Sequence, residues 1–251
     1  MRSCYRPALL VLGLGSALAA SDRLPAAGGD IIITPLVHSS VQVEHAGVVV
    51  QVDPWSAVDL SHAKQADLVL VTDDVGHHLD PKAIARLRKP GAVVVMPASG
   101  KARVADGTVL PNGATTTVAG VLVESIAAYD IIPGDPSHPK GEANGYLITI
   151  GGKRIYFAGV TECVPEIKAL RNIDVAFMPM NLPLERMTPQ ATADCVKAFA
   201  PRIVYPYHYD QDLASRIGRG EKVSGGSVRG FDALRTALTG GSVEVRTGAW
   251  Y

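Results

Sequence analysis

The amino-acid sequence predicts an α+β fold built from two mixed β-sheets with helices on their outer faces. Three observations lead there. Apolar, β-branched runs outnumber amphipathic helical stretches; several of the runs are joined by turns of a few residues, as hairpins require; and helical stretches separate others, as parallel crossovers require. The hairpins exclude a purely parallel sheet.

In chain order, "DIIITPLVHSSVQVEHAGVVVQVDPW" (30–55) reads as successive strands, with "HAG" as the tight turn between "SVQVE" and "VVVQVD". "ADLVLV" (66–71) is a buried strand. In "LDPKAIARLRK", Asp80 is the N-cap, Pro81 takes the first helical position, and Ala83, Ile84 and Leu87 form an apolar face. "GAVVVMP" (91–97) follows as a strand, then "TTTVAGVLVESIAAY" (115–129) as strand material broken at Gly120. The second half repeats this grammar. "GYLITIGGKRIYFAGVT" is two strands across a Gly-Gly turn, "CVPEIKALRN" a short helix, "IDVAFMPM" a strand, "TPQATADCVKAFAP" a capped helix and "RIVYPYHYD" a strand. A helix, a glycine stop and a last strand close the chain in "GFDALRTALTGGSVEVRTGAWY". No linker divides residues 20–251, which read as one domain. The longest loop is "YDIIPGDPSHPKGEANG" (129–145).

The first residues, "MRSCYRPALLVLGLGSALAAS", carry Arg2 and Arg6, an apolar run from Ala8 to Leu18, and Ala17 and Ala19 in an A-x-A arrangement, so residues 1–19 read as a secretory signal peptide. The run is well short of the ~20 residues that span a bilayer. Removing those residues turns 24 basic against 24 acidic side chains into 22 against 24, because two arginines leave and no acid does. A slightly acidic chain without basic blocks offers no footprint for nucleic acid. The expected partner is a small-molecule substrate or ligand, the expected location periplasmic or secreted, with no stable membrane span after cleavage. Cys163 and Cys195 would then meet an oxidising compartment, and they either pair or stay as two buried thiols.

Chemistry concentrates where histidines follow strands: His77 and His78 in "TDDVGHHLD", His138 in "PSHPKG" and His208 in "YPYHYD". Over "HSSVQVEHAGVVVQVDPW", "ADLVLVTDDVGHHLDPKAIARL", "HPKGEANGYLITIGGKRIYFAGVTECVPEIKALRNIDVAFMPMNLP" and "IVYPYHY" the chain resembles the metallo-β-lactamase-fold hydrolases, in a small, often exported branch. The resemblance implies an αββα sandwich with the site at the edge where the two sheets meet.

It also implies where metal ligands belong, and here the motif reads as degenerate. The family pattern His-x-His-x-Asp-His falls on Asp73, Val75, His77 and His78; the third-motif histidine falls on His138, the bridging aspartate on Val160 and the last histidine on His208. A first ion would find Asp73, Val75 and His138, and valine has no lone pair to donate. Without a bridging carboxylate, two dications ~4 Å apart repel by roughly 15–20 kcal/mol at an effective dielectric of ~20. The second ion's positions become His77, His78 and His208, a three-imidazole set with an open fourth position that suits catalytic zinc. The expectation is therefore one zinc ion or none, held by His77, His78 and His208 with help from His138.

Asp53 in "QVDPW" would orient a ligating imidazole, or else serve as a turn residue before Pro54. Asp73 and Asp74 are candidate general bases; the bland reading is a loop end that caps backbone amides. His38 in "VHSS" also matches a family position, with a structural role as its alternative, and Glu162 reads as a cap for the helix near Pro165. The expected activity is hydrolysis of an ester, lactone, amide or phosphodiester. The alternatives are an inactive pseudoenzyme whose cleft binds a ligand or a protein, favoured by Val75 and Val160, and more weakly metal storage or sensing.

Overall fold

The computed structural model describes residues 21–132, 137–210, 216, 219–221 and 228–248; the signal-like segment 1–19 and residues 133–136 of the long loop lie outside them. The strands form two seven-stranded sheets. The first contains β1 (Asp22–Leu24), β2 (Ile31–Val37), β3 (Ser40–His45), β4 (Val48–Val52), β5 (Ala66–Leu70), β6 (Arg88–Met96) and β7 (Thr108–Val109), in that spatial order. The second contains β8 (Thr115–Val118), β9 (Val121–Ala128), β10 (Ala143–Ile150), β11 (Lys153–Phe157), β12 (Val175–Pro179), β13 (Ile203–Tyr207) and β14 (Glu244–Val245), again side by side in sequence order. In each sheet the first four strands pair antiparallel and the last four parallel. The repeated grammar of the two halves is thus a repeated topology, and the two mixed sheets are those the sequence predicts.

Period-2 alternation decides which residues meet between the sheets. Val50, Val52, Leu68 and Leu70 belong to the large core shared with Tyr146, Ile148, Ile155, Phe157 and Phe177 of the second sheet. Their neighbours Val49, Val69 and Val71 point the other way and pack with Leu79 and Ile84. Ile84 belongs to helix α1 (Pro81–Leu87), whose N-cap Asp80 accepts from the Lys82 and Ala83 amides and whose Pro81 stands in the first turn, as the sequence requires. In β12 every residue is buried, which is what a continuous apolar run between two parallel neighbours demands.

On the far side lie α2 (Pro165–Lys168), α3 (Pro189–Phe199) and α4 (Val228–Leu238). Thr188 caps α3 by accepting the Ala191 amide. Cys163, just before α2, is disulfide-bonded to Cys195 of α3, which resolves the choice between pairing and free thiols. Glu162 does not cap α2; its carboxylate accepts the Ile131 and Ile132 amides, and Val164 occupies the cap position. The short strands β1 and β7 are absent from the sequence reading, because two or three residues are too few to show an alternation. Among the described residues no helix is long and apolar enough to cross a membrane.

The parallel strands place the site. β4, β5, β12 and β13 all end at one edge, and ligands favour the carboxyl ends of such strands. Gly159, after β11, lets the two sheets close there: it has φ +71°, and a Cβ would lie 2.8 Å from the Asn144 carbonyl oxygen and 3.2 Å from Thr72 Cβ.

Candidate metal centre

Four histidines converge at that edge. His38 sits in the tight connection between β2 and β3, His77 and His78 in the loop after β5, and His208 directly after β13. One ligating atom from each can be chosen so that all four lie within 4.8 Å of one another. His38, His78 and His208 are buried and His77 is partly exposed, so the accessible side of the centre is the side of His77. His38 and His208 both have positive φ, 55° and 51°, as does Asp53 at 43°. Such left-handed non-glycine residues are held against local preference by the surrounding structure, and they gather at functional sites. The backbone ties the two sheets together here, since the His208 amide donates to the His38 carbonyl at 3.0 Å.

Two carboxylates set the ring orientations. His78 Nδ1 lies 2.7 Å from Asp53 Oδ2, and Asp53 also accepts the Thr72 amide (2.7 Å) and the Thr72 hydroxyl (2.6 Å). Thr72 Oγ1 and Ser39 Oγ stand 3.0 and 3.2 Å from the same ring nitrogen. Donation from Nδ1 to the carboxylate leaves the lone pair of Nε2 facing the centre. His38 is held in the same manner, with Nδ1 2.5 Å from Asp210 Oδ1, while its buried Nε2 has no hydrogen-bond partner among the described residues. Carboxylate-backed imidazoles of this kind are the usual outer shell of protein metal ligands.

The geometry fits an ion. His78 Nε2 and His208 Nε2 are 3.1 Å apart. Two imidazole nitrogens each at 2.0–2.1 Å from a tetrahedral ion stand about 3.3 Å apart. The buried, unpartnered His38 Nε2 supplies a further donor, and an all-imidazole set suits zinc and other borderline transition metals. Burial keeps three of the rings, His38, His77 and His208, neutral. It lowers His77 to about 2, reinforced by His78 and His38, and lowers His38 although Asp210 opposes the shift. His208 is pushed well below the usual histidine value by burial and then by the neighbouring imidazoles. Neutral imidazole is the ligating form, so these donors are ready at ordinary pH.

The structure places the remaining sequence candidates nearby. His138 stands apart from the four converging rings, with Nε2 3.1 Å from Asp73 Oδ2 and Nδ1 3.5 Å from Asp130 Oδ2. Asp73 is buried and accepts the Asp74 amide at 2.6 Å. Burial pushes its carboxyl up, but His138 and His78 outweigh this and hold it below its usual value. Asp74 is raised by burial and by the adjacent Asp73 charge. Val75 and Val160 carry no donor, as read from the motif, yet the centre as a whole is not degenerate in the way that reading expects. His38 supplies the imidazole that the motif alignment leaves out. Asp210, which holds His38, belongs to none of the motifs read from the sequence; what marks it there is its place two residues after His208.

Comparison with known proteins agrees with this arrangement. The family described as the beta-lactamase superfamily domain matches residues 32–208. A UPF0173 metal-dependent hydrolase of Thermococcus kodakarensis is 32% identical over 156 residues, covering 58% of this chain and 68% of that one. Another from Caldivirga maquilingensis is 29% identical over 185 residues, or 70% and 80% of the two chains. Among solved structures, one from Parabacteroides distasonis classed with the metal-dependent hydrolases superposes with a TM-score of 0.80 at 34% identity, over 93% of this chain and 100% of that one. Igni18 of Ignicoccus hospitalis, at 21% identity and a TM-score of 0.67 over 86% and 94% of the two chains, shares the fold. A four-histidine cluster at the joined edge of two mixed sheets, in a chain so related, makes this protein a member of the metallo-β-lactamase superfamily, in its family of UPF0173 metal-dependent hydrolases.

Proposed function

We propose that the protein is an exported hydrolase that uses one divalent ion, zinc by preference, to cleave an ester, lactone, amide or phosphodiester in a small molecule. The observation that carries this reading is the pairing of the 3.1 Å separation between His78 Nε2 and His208 Nε2 with the unpartnered buried Nε2 of His38. An ion held there supplies Lewis acidity and brings the pKa of water down toward about 7. Asp53 and Asp210 hold the tautomers of His78 and His38. Asp73, buried and facing His138, and the more exposed Asp74 are the two candidates to take a proton.

Val75 and Val160 support a single ion, because the donors a second would need are absent from both positions. The inactive-module alternative drew on that same absence, and His38 weakens it by restoring a fourth imidazole. The Cys163–Cys195 disulfide supports export, since such bonds persist in oxidising compartments.

Metal analysis of the untagged protein after zinc incubation tests the reading. One equivalent is expected, lost in His208→Ala and weakened in His38→Ala. Two tightly held ions, or retention of one in His208→Ala, would refute it.

A further inference from the structure

Among the described residues the exposed large hydrophobic side chains are Val75, Leu122, Ile131, Ile132 and Leu184. Four of these five belong to segments joined by one chain of polar contacts to the loop after β5, which carries His77 and His78: Asp73 of that loop lies 3.1 Å from His138 Nε2, and Asp130 faces both His138 and Arg186. Val75 lies between Asp73 and His77. Ile131 and Ile132 follow Asp130, whose carboxylate stands 3.5 Å from His138 Nδ1. Leu184 is two residues from Arg186, whose guanidinium pairs with that same Asp130. Trp55 adds a half-buried ring whose centroid is 6.0 Å from His77, the exposed ligand, and 6.1 Å from His38.

The exposed side chains are held in place rather than left loose. Glu162, only 7% exposed, directs its carboxylate to the Ile131 and Ile132 amides while the side chains beyond remain 51% and 43% exposed. Arg186, 4% exposed, grips both Asp130 and the Pro183 carbonyl and so fixes the turn on which Leu184 stands 76% exposed. Leu184 and Glu185 both have positive φ, 63° and 57°, a conformation that side-chain-bearing residues resist. Buried charges and backbone strain that keep apolar groups in water beside a reactive centre call for an apolar occupant arriving with the reaction.

We propose that Trp55, Val75, Ile131, Ile132 and Leu184 form an apolar lip that binds the aliphatic or aromatic part of the substrate, so that the centre acts on compounds with an acyl- or alkyl-type group next to the scissile bond. This rests on the hydrolase reading above. A macromolecular partner or a membrane surface on the same residues is the competing occupant.

The test is calorimetric binding of acetohydroxamate and octanohydroxamate to zinc-loaded protein. The two share a metal-binding head and differ by six methylenes, each worth about four-fold in affinity when fully buried. The lip covers a chain on one side only, so the longer compound is expected to bind about ten-fold tighter or more. Ile131→Ser/Ile132→Ser/Leu184→Ser should remove most of that ratio, whereas Leu122→Ser, on β9 away from the lip, should keep it. Equal affinities, binding of neither compound, or a ratio untouched by the triple variant would overturn the proposal and leave the lip to a macromolecular partner. The parent reading fails separately, by absence of bound zinc before any hydroxamate is added.

Discussion

Asp53→Asn probes how the centre is built, because it changes one atom and leaves the shape. Asn tolerates the left-handed backbone at this position, where φ is 43°. In the native site Oδ1 accepts the Thr72 amide at 2.7 Å, and Oδ2 accepts the Thr72 hydroxyl at 2.6 Å and faces His78 Nδ1 at 2.7 Å. The Thr72 amide can only donate, so the asparagine oxygen must stay on that side and the NH2 group must face Thr72 Oγ1 and His78. His78 Nδ1 then has to accept, which drives the ring proton to Nε2, the atom 3.1 Å from His208 Nε2 that the ion requires. Loss of such an outer partner weakens metal binding by about 10–100-fold, or roughly 1.4–2.8 kcal/mol. Zinc competition against a chromophoric chelator reads the affinity, and nitrogen NMR of the imidazoles reads the tautomer. A variant that binds zinc within about two-fold of the native protein, with His78 still protonated at Nδ1, would show that Asp53 is a turn residue and that the ring is oriented by something else.

Three further outcomes are expected. In the metal-free protein, His38, His77 and His208 have folded pKa values below the unfolded value near 6.5, so the unfolded chain takes up protons first as pH falls. Stability should be level above about pH 7 and decline below 6.5 by up to about 1.4 kcal/mol per pH unit for each histidine; urea melts that improve toward acid would contradict the burial of neutral rings. Reducing the Cys163–Cys195 bond, whose partners are 32 residues apart, should cost about 3–4 kcal/mol on the chain-entropy estimate, and a melting temperature indifferent to reductant would show that the bond does not constrain the unfolded state. Val160→Asp places a carboxylate at a 3%-exposed position in the core. It should destabilise the metal-free protein by about 1–3 kcal/mol unless an ion is added, and unchanged stability would mean that the position opens to water.

Much of the architecture could be read along the chain because it is encoded locally. The apolar runs in "VVVQV" and "VAFMP" mark strands that are buried on both faces. "LDPKAIARL" carries its own cap, its own first-turn proline and its own apolar face, and each of these acts within a few residues. His77, His78 and His208 were legible for the related reason that ligands after strand ends sit in recognisable motifs.

Tertiary structure alone decided the membership of the centre. His38 and His208 are 170 positions apart, yet their ring centroids are 3.8 Å apart and their backbones hydrogen-bond, because β2 and β13 belong to different sheets that close on the same edge. His138 lies within the expected motif, but Asp73 and Asp130 hold it among carboxylates instead of among the imidazoles. A metal ion selects donors by their convergence on a point about 2 Å away, and convergence is a property of how strands are stacked and twisted. Residue type says which side chains have a lone pair to offer; only the closing of the two sheets says which lone pairs meet.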